Sequence, residues 1–318
     1  MNTDKHSKVG IFLRGMLMGA ADVVPGVSGG TMAFITGIYE RLITAIGNIS
    51  SELFSALRND GVRAAWKAID GNFLVLLVAG IITSIITLAQ GVSWALDNYP
   101  PIVWAFFFGL IVASAWVIGK QVKEWSIARA ITVILIAAAT MWLLSLSPAT
   151  TTDAPWFVFL SGMIAISAMI LPGISGSFLL VLLGKYEYVL NAIYTFDIIP
   201  LAIFAVGCGI GLLSSARIIS VLFKRFHDTM MLIITAIMIG SLYKVWPWRQ
   251  IIEYTVEDDG SWKILVDKPV SPRVYEMMPI IDGSHGLVVE SPYIVAAVIA
   301  CIIGIVLVVT ISKKGMKQ

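Results

Sequence analysis

The stretch Pro25-Gly26-Val27-Ser28-Gly29-Gly30 (PGVSGG) returns 147 residues later as Pro172-Gly173-Ile174-Ser175-Gly176-Ser177 (PGISGS), each time between long apolar runs. Pro and Gly interrupt a helix, and the residues after them start a new one. Working outward, ten of twenty-nine positions match between 15–43 and 162–190. They are Gly15, Met16, Ala21, Pro25, Gly26, Ser28, Gly29, Gly37, Tyr39 and Glu40 with their counterparts. An apolar composition inflates such a count, but it does not supply the matched Ser and Glu. Beyond Glu40 the register fails. Re-pairing the later apolar runs needs an insertion in the first half, and residues 50–70 have a suitable length.

The chain is 58% hydrophobic and 13% charged, with a mean hydropathy of +0.88, against about a quarter charged in ordinary soluble domains. Runs long enough to cross a bilayer lie at 73–92, 100–119, 127–147, 197–222, 229–247 and 291–311. These features define an all-α polytopic membrane protein. The net charge of +2 is too small to suggest nucleic acid. Cys208 and Cys301 sit inside apolar runs and read as small hydrophobes. His6, His227 and His285 are scattered, so neither a metal site nor a cofactor is expected. The basic residues near the N-terminus run into the first apolar stretch, which belongs to the repeat, so this stretch reads as retained rather than cleaved.

Charge sorts the loops. With an internal N-terminus, and with each cluster region going out and back, sixteen of the 22 Lys and Arg fall inside. Four of the remaining six belong to one long loop, which the positive-inside rule discounts. Both termini are therefore expected in the cytoplasm. Each half then holds a re-entrant hairpin plus three spans, an odd number, so the second copy enters from the opposite face. The expected architecture is two inverted-topology repeats, 1–147 and 148–318, with hairpins at about 9–47 and 155–195. Residues 50–70 read as an amphipathic segment on the inner surface or as a solvated connector. Residues 249–290 form the one long polar stretch, with a strand–turn–strand pattern around Asp259-Gly260 that predicts a small external hairpin.

Non-helical backbone at membrane depth must be buried in protein or line a wet cavity. Two tips entering from opposite faces are expected to meet and shelter one another. Each tip presents a helix start rich in small donors: Ser28, Gly29, Gly30 and Thr31 in one, Ser175, Gly176 and Ser177 in the other, after the breaks at Pro25-Gly26 and Pro172-Gly173. Free N–H groups, hydroxyls and the positive end of a helix dipole suit a phosphate or carboxylate. Small residues that simply permit close helix crossing are the alternative. Asp22 either carries a coupling proton or caps the tip, and Met169 takes the equivalent place. Glu40 and Glu187 read as gate residues or ordinary interfacial charges, with Arg41 and Lys185 beside them snorkelling to the surface. Arg217, inside an apolar run, is a functional or a snorkelling cation.

The segments "ADVVPGVSGGTMAFITGIYERLI" (21–43), "LPGISGSFLLVLLGKYEYVL" (171–190) and "IGSLYKVWPW" (239–248) resemble the bacterial polyprenyl-phosphate transporters over essentially the whole chain. The resemblance implies a multi-pass inner-membrane protein whose partner is a polyprenyl-phosphate lipid. It implies the return of undecaprenyl phosphate, the lipid carrier of cell-wall building, from the outer to the cytoplasmic leaflet. It leaves the oligomeric state open. The rival readings are a small-anion transporter and an undecaprenyl-pyrophosphate phosphatase. Such phosphatases carry a Pro-Gly-x-Ser-Arg-Ser signature, and here its Arg position is Gly29 or Gly176. A Ser with neither that cation nor a neighbouring base is a poor nucleophile, so no enzyme activity is expected.

Overall fold

A computed structural model describes residues 7–24, 28–49, 51–256, 262–277, 280–282, 286–288 and 291–315. In chain order the elements are α1 (Lys8–Asp22), α2 (Gly29–Ile35), α3 (Tyr39–Gly47), α4 (Ser51–Asp60), α5 (Val62–Ala68), α6 (Gly71–Asn98), α7 (Pro100–Gly119), α8 (Ile127–Leu144), α9 (Pro155–Ile170), α10 (Gly176–Leu182), α11 (Tyr186–Tyr194), α12 (Ile198–Ser241), β1 (Arg249–Val256), β2 (Trp262–Pro269), α13 (Pro272–Met277), β3 (Ile280–Asp282), β4 (Gly286–Val288) and α14 (Ile294–Gly315). Local chemistry sets several starts. Ser7 and Ser126 cap α1 and α8 through their hydroxyls, and Pro opens α7 and α9, where its missing N–H costs nothing.

Among the described residues, five helices (α6, α7, α8, α12 and α14) are long and apolar enough to cross a membrane. The chain is an α-helical multi-pass membrane protein. The runs expected as separate spans at 197–222 and 229–247 are the two helical limbs of α12, divided at Phe226, whose backbone is not helical (φ −134°, ψ 46°). At 1.5 Å per residue the limbs before and after Phe226 are about 42 Å and about 22 Å long. No Gly or Pro lies between 223 and 228, so helix runs up to the break from both sides, and it ends at Ser241 rather than 247. Segment 50–70 is two helices rather than one, because Gly61 sits between α4 and α5 at φ +82°.

Four helix pairs carry the packing, and each pair runs in one direction. Gly15 lies against Leu77 and Gly19 against Ile81, which aligns α1 with α6. Gly207 lies against Phe159 and Gly211 against Met163, which aligns α9 with the first limb of α12. The Tyr99 and Tyr293 rings meet at 5.7 Å and Gly109 abuts Cys301, aligning α7 with α14. Arg129 pairs with Asp228 at 2.9 Å and Gly240 abuts Ala137, aligning α8 with the second limb of α12. Parallel neighbours require the chain between them to return, so residues 23–70 and 171–197 each run back from the end of one helix to the level at which the next begins.

The element bounds repeat with the offset seen in the sequence. α2 and α10 start at 29 and 176 and end at 35 and 182; α3 and α11 start at 39 and 186 and end at 47 and 194. The joint between them is Gly37 (φ +72°) in one half and Gly184 (φ +62°) in the other, a left-handed conformation that a side chain would disfavour.

The core joins α1, α2, α3, α6, α7 and α12, with Phe73, Ile38, Ile43, Ile111, Met231 and Ile234 essentially inaccessible. The polar segment after α12 includes the expected strands. β1 and β2 pair antiparallel, while the Asp259-Gly260 turn lies outside the described residues. Asp267 on β2 accepts from Lys244 at 2.8 Å and from Arg249 at 2.5 Å. Trp248 donates to the Pro292 carbonyl at 2.9 Å and joins Ala105, Tyr275 and Ala297 in a small core. The ribbon is thus tied to the starts of α7 and α14.

Two outcomes are expected. Gly80 faces the Phe12 carbonyl with no room for a Cβ, whereas nothing surrounds Gly91. Gly80→Val should destabilise the detergent-solubilised protein by about 1–3 kcal/mol, with Gly91→Ala neutral or slightly stabilising, as read by thermal unfolding. Burial pushes the Asp267 carboxyl up, but the Arg249 hydrogen bonds and the Lys244 charge outweigh this and hold it below the usual carboxylate range. A depressed folded-state pKa contributes stability that is full above the unfolded value, ~3.9, and is lost as pH falls through the folded one. Tryptophan fluorescence of the Trp246–Trp248 cluster should therefore stay unchanged down to about pH 4 and shift below it. Asp267→Asn should shift it already at neutral pH.

Candidate functional site

The two broken segments meet. Pro25 and Gly26 lie outside the described residues, but the chain on both sides of them is defined. Ser28 adopts extended geometry (φ −121°, ψ 133°) and caps α2, its Oγ accepting from the Gly30 N–H at 3.1 Å. The same hydroxyl donates to the Met169 carbonyl at 3.0 Å, 141 residues away. Thr31 Oγ1 accepts from the Gly173 N–H at 3.1 Å. Gly173 itself has φ +93°. The carbonyls of Met169 and Ile170 close over Gly30, leaving a Cβ there only 2.9 Å from the Ile170 oxygen. Ser28 and Thr31 are fully buried. Pro172, Gly173, Ser175 and Gly176 are buried as well.

The first turn of α2 is satisfied by the chain itself. Gly29 N–H donates to Asp22 Oδ1 at 2.7 Å, and Thr31 N–H donates to the Ser28 carbonyl at 2.9 Å. Asp22 fills the space beside Gly29 that a side chain would need, at 2.5 Å from an ideal Cβ. At the other end, Arg14 Nε donates to the Thr36 carbonyl at 3.1 Å. Helix α2 thus has a carboxylate at its positive end and a guanidinium at its negative end, both favourable to its dipole.

The second tip is built differently. Met169 stands where Asp22 stands in the first half, and no side chain caps α10. The Ser175 hydroxyl is hydrogen-bonded to the Ser177 hydroxyl at 2.7 Å, and Ser177 is exposed. Of the two repeated clusters, only this one keeps a hydroxyl pair with an open side.

The remaining sequence candidates lie on other elements. Glu40, exposed on α3, faces His227 at 3.2 Å beside the break in α12. Glu187 is exposed in the first turn of α11. Arg217 is exposed on α12, its backbone against Gly47 at the end of α3. Lys185 does not snorkel freely. Its side chain is 2% exposed, and its ammonium donates to Asp153 Oδ1 at 2.7 Å and to the Thr151 carbonyl at 3.2 Å. Its counterpart in the first half is the buried Ile38. Sequence reasoning missed the Met169 carbonyl as a partner, since backbone acceptors leave no mark in composition. It named Asp22 as a possible cap, and the spacing from Asp22 to Gly29 is its only trace. Among the described residues no group of His, Cys, Asp and Glu is arranged to hold a metal.

The fold and this junction define a multi-pass helical membrane protein with two broken helical segments joined inside it. The chain belongs to the undecaprenyl phosphate translocase-like family, whose model matches residues 18–263. It is 43% identical over 267 residues to the polyprenyl-phosphate transporter of Vibrio cholerae serotype O1, across 84% of this chain and 87% of that protein. It is 31% identical over 258 residues to the polyprenyl-phosphate transporter of Staphylococcus aureus, across 74% and 85%. No solved structure matches the chain.

Removing the acceptor of a buried N–H costs about 1–3 kcal/mol. Asp22→Ala and Thr31→Val should each lower thermal stability by that order, through Gly29 and Gly173. Asp22→Asn, which keeps an acceptor oxygen, should cost less than half as much as Asp22→Ala. Equal losses for Asn and Ala would show that the charge, rather than the hydrogen bond, holds α2.

Proposed function

We propose that this protein is a polyprenyl-phosphate transporter that moves undecaprenyl phosphate from the outer to the cytoplasmic leaflet of the bacterial inner membrane, for reuse in cell-envelope building. Family membership and the relatives' names support the class of substrate. The observation that carries the mechanism is the junction of the two tips, Ser28 to Met169 and Gly173 to Thr31, which puts two helix breaks side by side. In our reading the halves, 1–147 and 148–318, are inverted-topology repeats with both termini cytoplasmic. The matching element bounds and the parallel pairs α1/α6 and α9/α12 are what that topology requires.

A lipid phosphate must carry its headgroup through hydrocarbon while its tail stays there. The phosphate-binding set we assign is Ser28, Gly29, Gly30 and Thr31 with Ser175, Gly176 and Ser177, and its two halves take unequal parts. The second tip, uncapped and with exposed Ser177, offers donors to the phosphate. The first tip, already bonded to Asp22, holds the second in place and becomes available only if the Asp22 carboxylate is displaced or protonated. Asp22 is thus the candidate for coupling, while Glu40, Glu187 and Arg217 lie toward the mouths. No bond in the substrate is broken: Gly29 and Gly176 supply no cation for a transferring phosphoryl group, so the chain acts as a carrier rather than an enzyme.

The test is leaflet exchange of a labelled polyprenyl phosphate in vesicles holding the purified protein. Exchange should be fast, release no inorganic phosphate, and fall by at least about tenfold in the Ser175→Ala/Ser177→Ala variant, as loss of hydrogen bonds worth ~1.5–3 kcal/mol to a charged group implies. Exchange unchanged by the double variant would remove the second tip as the phosphate site. Passage of free phosphate without lipid exchange would replace the lipid reading with a small-anion one.

A further inference from the structure

Away from the tips, α7 and the second limb of α12 leave a cleft of about 420 Å³ between them, lined by Val112, Trp116, Trp125, Thr235, Ile239 and Leu242. That volume falls within the ~300–1,000 Å³ usual for ligand pockets. It is open on one side, since Trp116, Trp125 and Ile239 are each 41–53% exposed. The lining is apolar, and its one hydroxyl, on Thr235, donates to the Met231 carbonyl at 2.8 Å, so it offers nothing to a polar guest. A cation stands at one end. Lys120, which also lines the cleft, holds its ammonium 3.6 Å over the Trp116 ring. Among the described residues no carboxylate pairs with Lys120. The nearby acid Asp228 is taken by the Lys123 N–H at 3.1 Å and by Arg129 at 2.9 Å. The other end borders the tip junction, because Ser241, just before Leu242, lies against Gly173.

An apolar trough about 12 Å long, from Val112 to Lys120, open to the bilayer and ended by an unneutralised cation, has the shape of a single lipid chain with an anionic head. We infer that it holds the first isoprenoid units of a polyprenyl phosphate, with the phosphate on Lys120, on the side that the charge distribution assigns to the cytoplasm. The inference rests on the transporter reading above and adds where the substrate sits beyond the tips. The monoester phosphate, carrying about −1.5 to −2 charges near neutral pH, fits this cation better than the singly charged phosphodiester of bulk phospholipid does. Trp116 and Trp125 are half exposed, as tryptophans at a membrane interface are, and the Trp125 N–H donates to the Gly119 carbonyl at 3.2 Å.

The test uses the full-length protein in phosphatidylglycerol-containing vesicles with a polyprenyl phosphate bearing a photoreactive diazirine in its first isoprene units. Cross-linked residues are mapped by mass spectrometry. Labels should concentrate at Val112, Trp116 and Ile239, and excess unlabelled polyprenyl phosphate should remove them while added phosphatidylglycerol does not. Lys120→Glu should reduce them about tenfold (~1.4 kcal/mol), Lys120→Arg should retain them, and Ile239→Trp, which fills the trough, should abolish them with leaflet exchange slowed. Substrate-specific labels confined to other surfaces would overturn the cleft while leaving the transporter reading intact. Labels removed equally by phosphatidylglycerol would make the cleft a bulk-lipid groove and overturn the inference. Absence of specific labelling anywhere, together with absence of leaflet exchange, would overturn the transporter reading itself.

Discussion

The contact on which the rest of the molecule depends is the mutual hydrogen bonding of two interrupted helices. Hydrocarbon offers no partners to a broken backbone, and each unsatisfied group costs several kcal/mol. Here one break supplies what the other lacks. The Ser28 hydroxyl covers the Met169 carbonyl, and the Thr31 hydroxyl covers the Gly173 N–H. Each break thus takes part of its hydrogen bonding from the other half, although each half has its own framing pair of parallel helices. The segment "IGSLYKVWPW" follows from the same constraint. Within ten residues it packs on α8 through Gly240, approaches the second tip through Ser241 and ties down the external ribbon through Lys244, Trp246 and Trp248.

The two halves share backbone but not polarity. Asp22 faces α2 where Met169 stands in the second half, and Ile38 is buried where Lys185 is buried against Asp153. Each half carries a charge at the position where the other is apolar. A charge inside a membrane protein is retained when it has a partner, and both of these have one: the Gly29 N–H for Asp22, and Asp153 with the Thr151 carbonyl for Lys185. The result is one tip closed by the chain's own carboxylate and another in which buried Ser175 is bonded to exposed Ser177.

Much of the scaffold was legible in the chain because its cause is local. Apolar runs of about twenty residues follow from bilayer thickness, and Pro-Gly followed by Ser follows from how helices stop and start. The 147-residue offset between PGVSGG and PGISGS therefore reappears residue for residue in the bounds of α2, α3, α10 and α11. The strands 249–256 and 262–269 were visible for the same reason, through alternation around a turn.

What composition and spacing did not decide was where each polar group turns. "FKRFHD" at 223–228 marks a charged interruption, yet it contains no residue that stops a helix. The break at Phe226 falls in the gap left between the runs 197–222 and 229–247, and only the tertiary structure brings Lys123 and Arg129 onto Asp228 beside it. Asp22 read equally as proton carrier or cap, and only the tertiary structure shows its carboxylate accepting from the Gly29 N–H. Lys185 read as a surface cation, and only the loop over it, bringing Asp153, makes it buried. By itself the sequence determined the helices, their interruptions and the repeat, because these depend on neighbours along the chain. The tertiary structure decided which interruptions meet and which charges are satisfied, because those partners lie up to 187 residues apart and are in part backbone atoms that every residue carries.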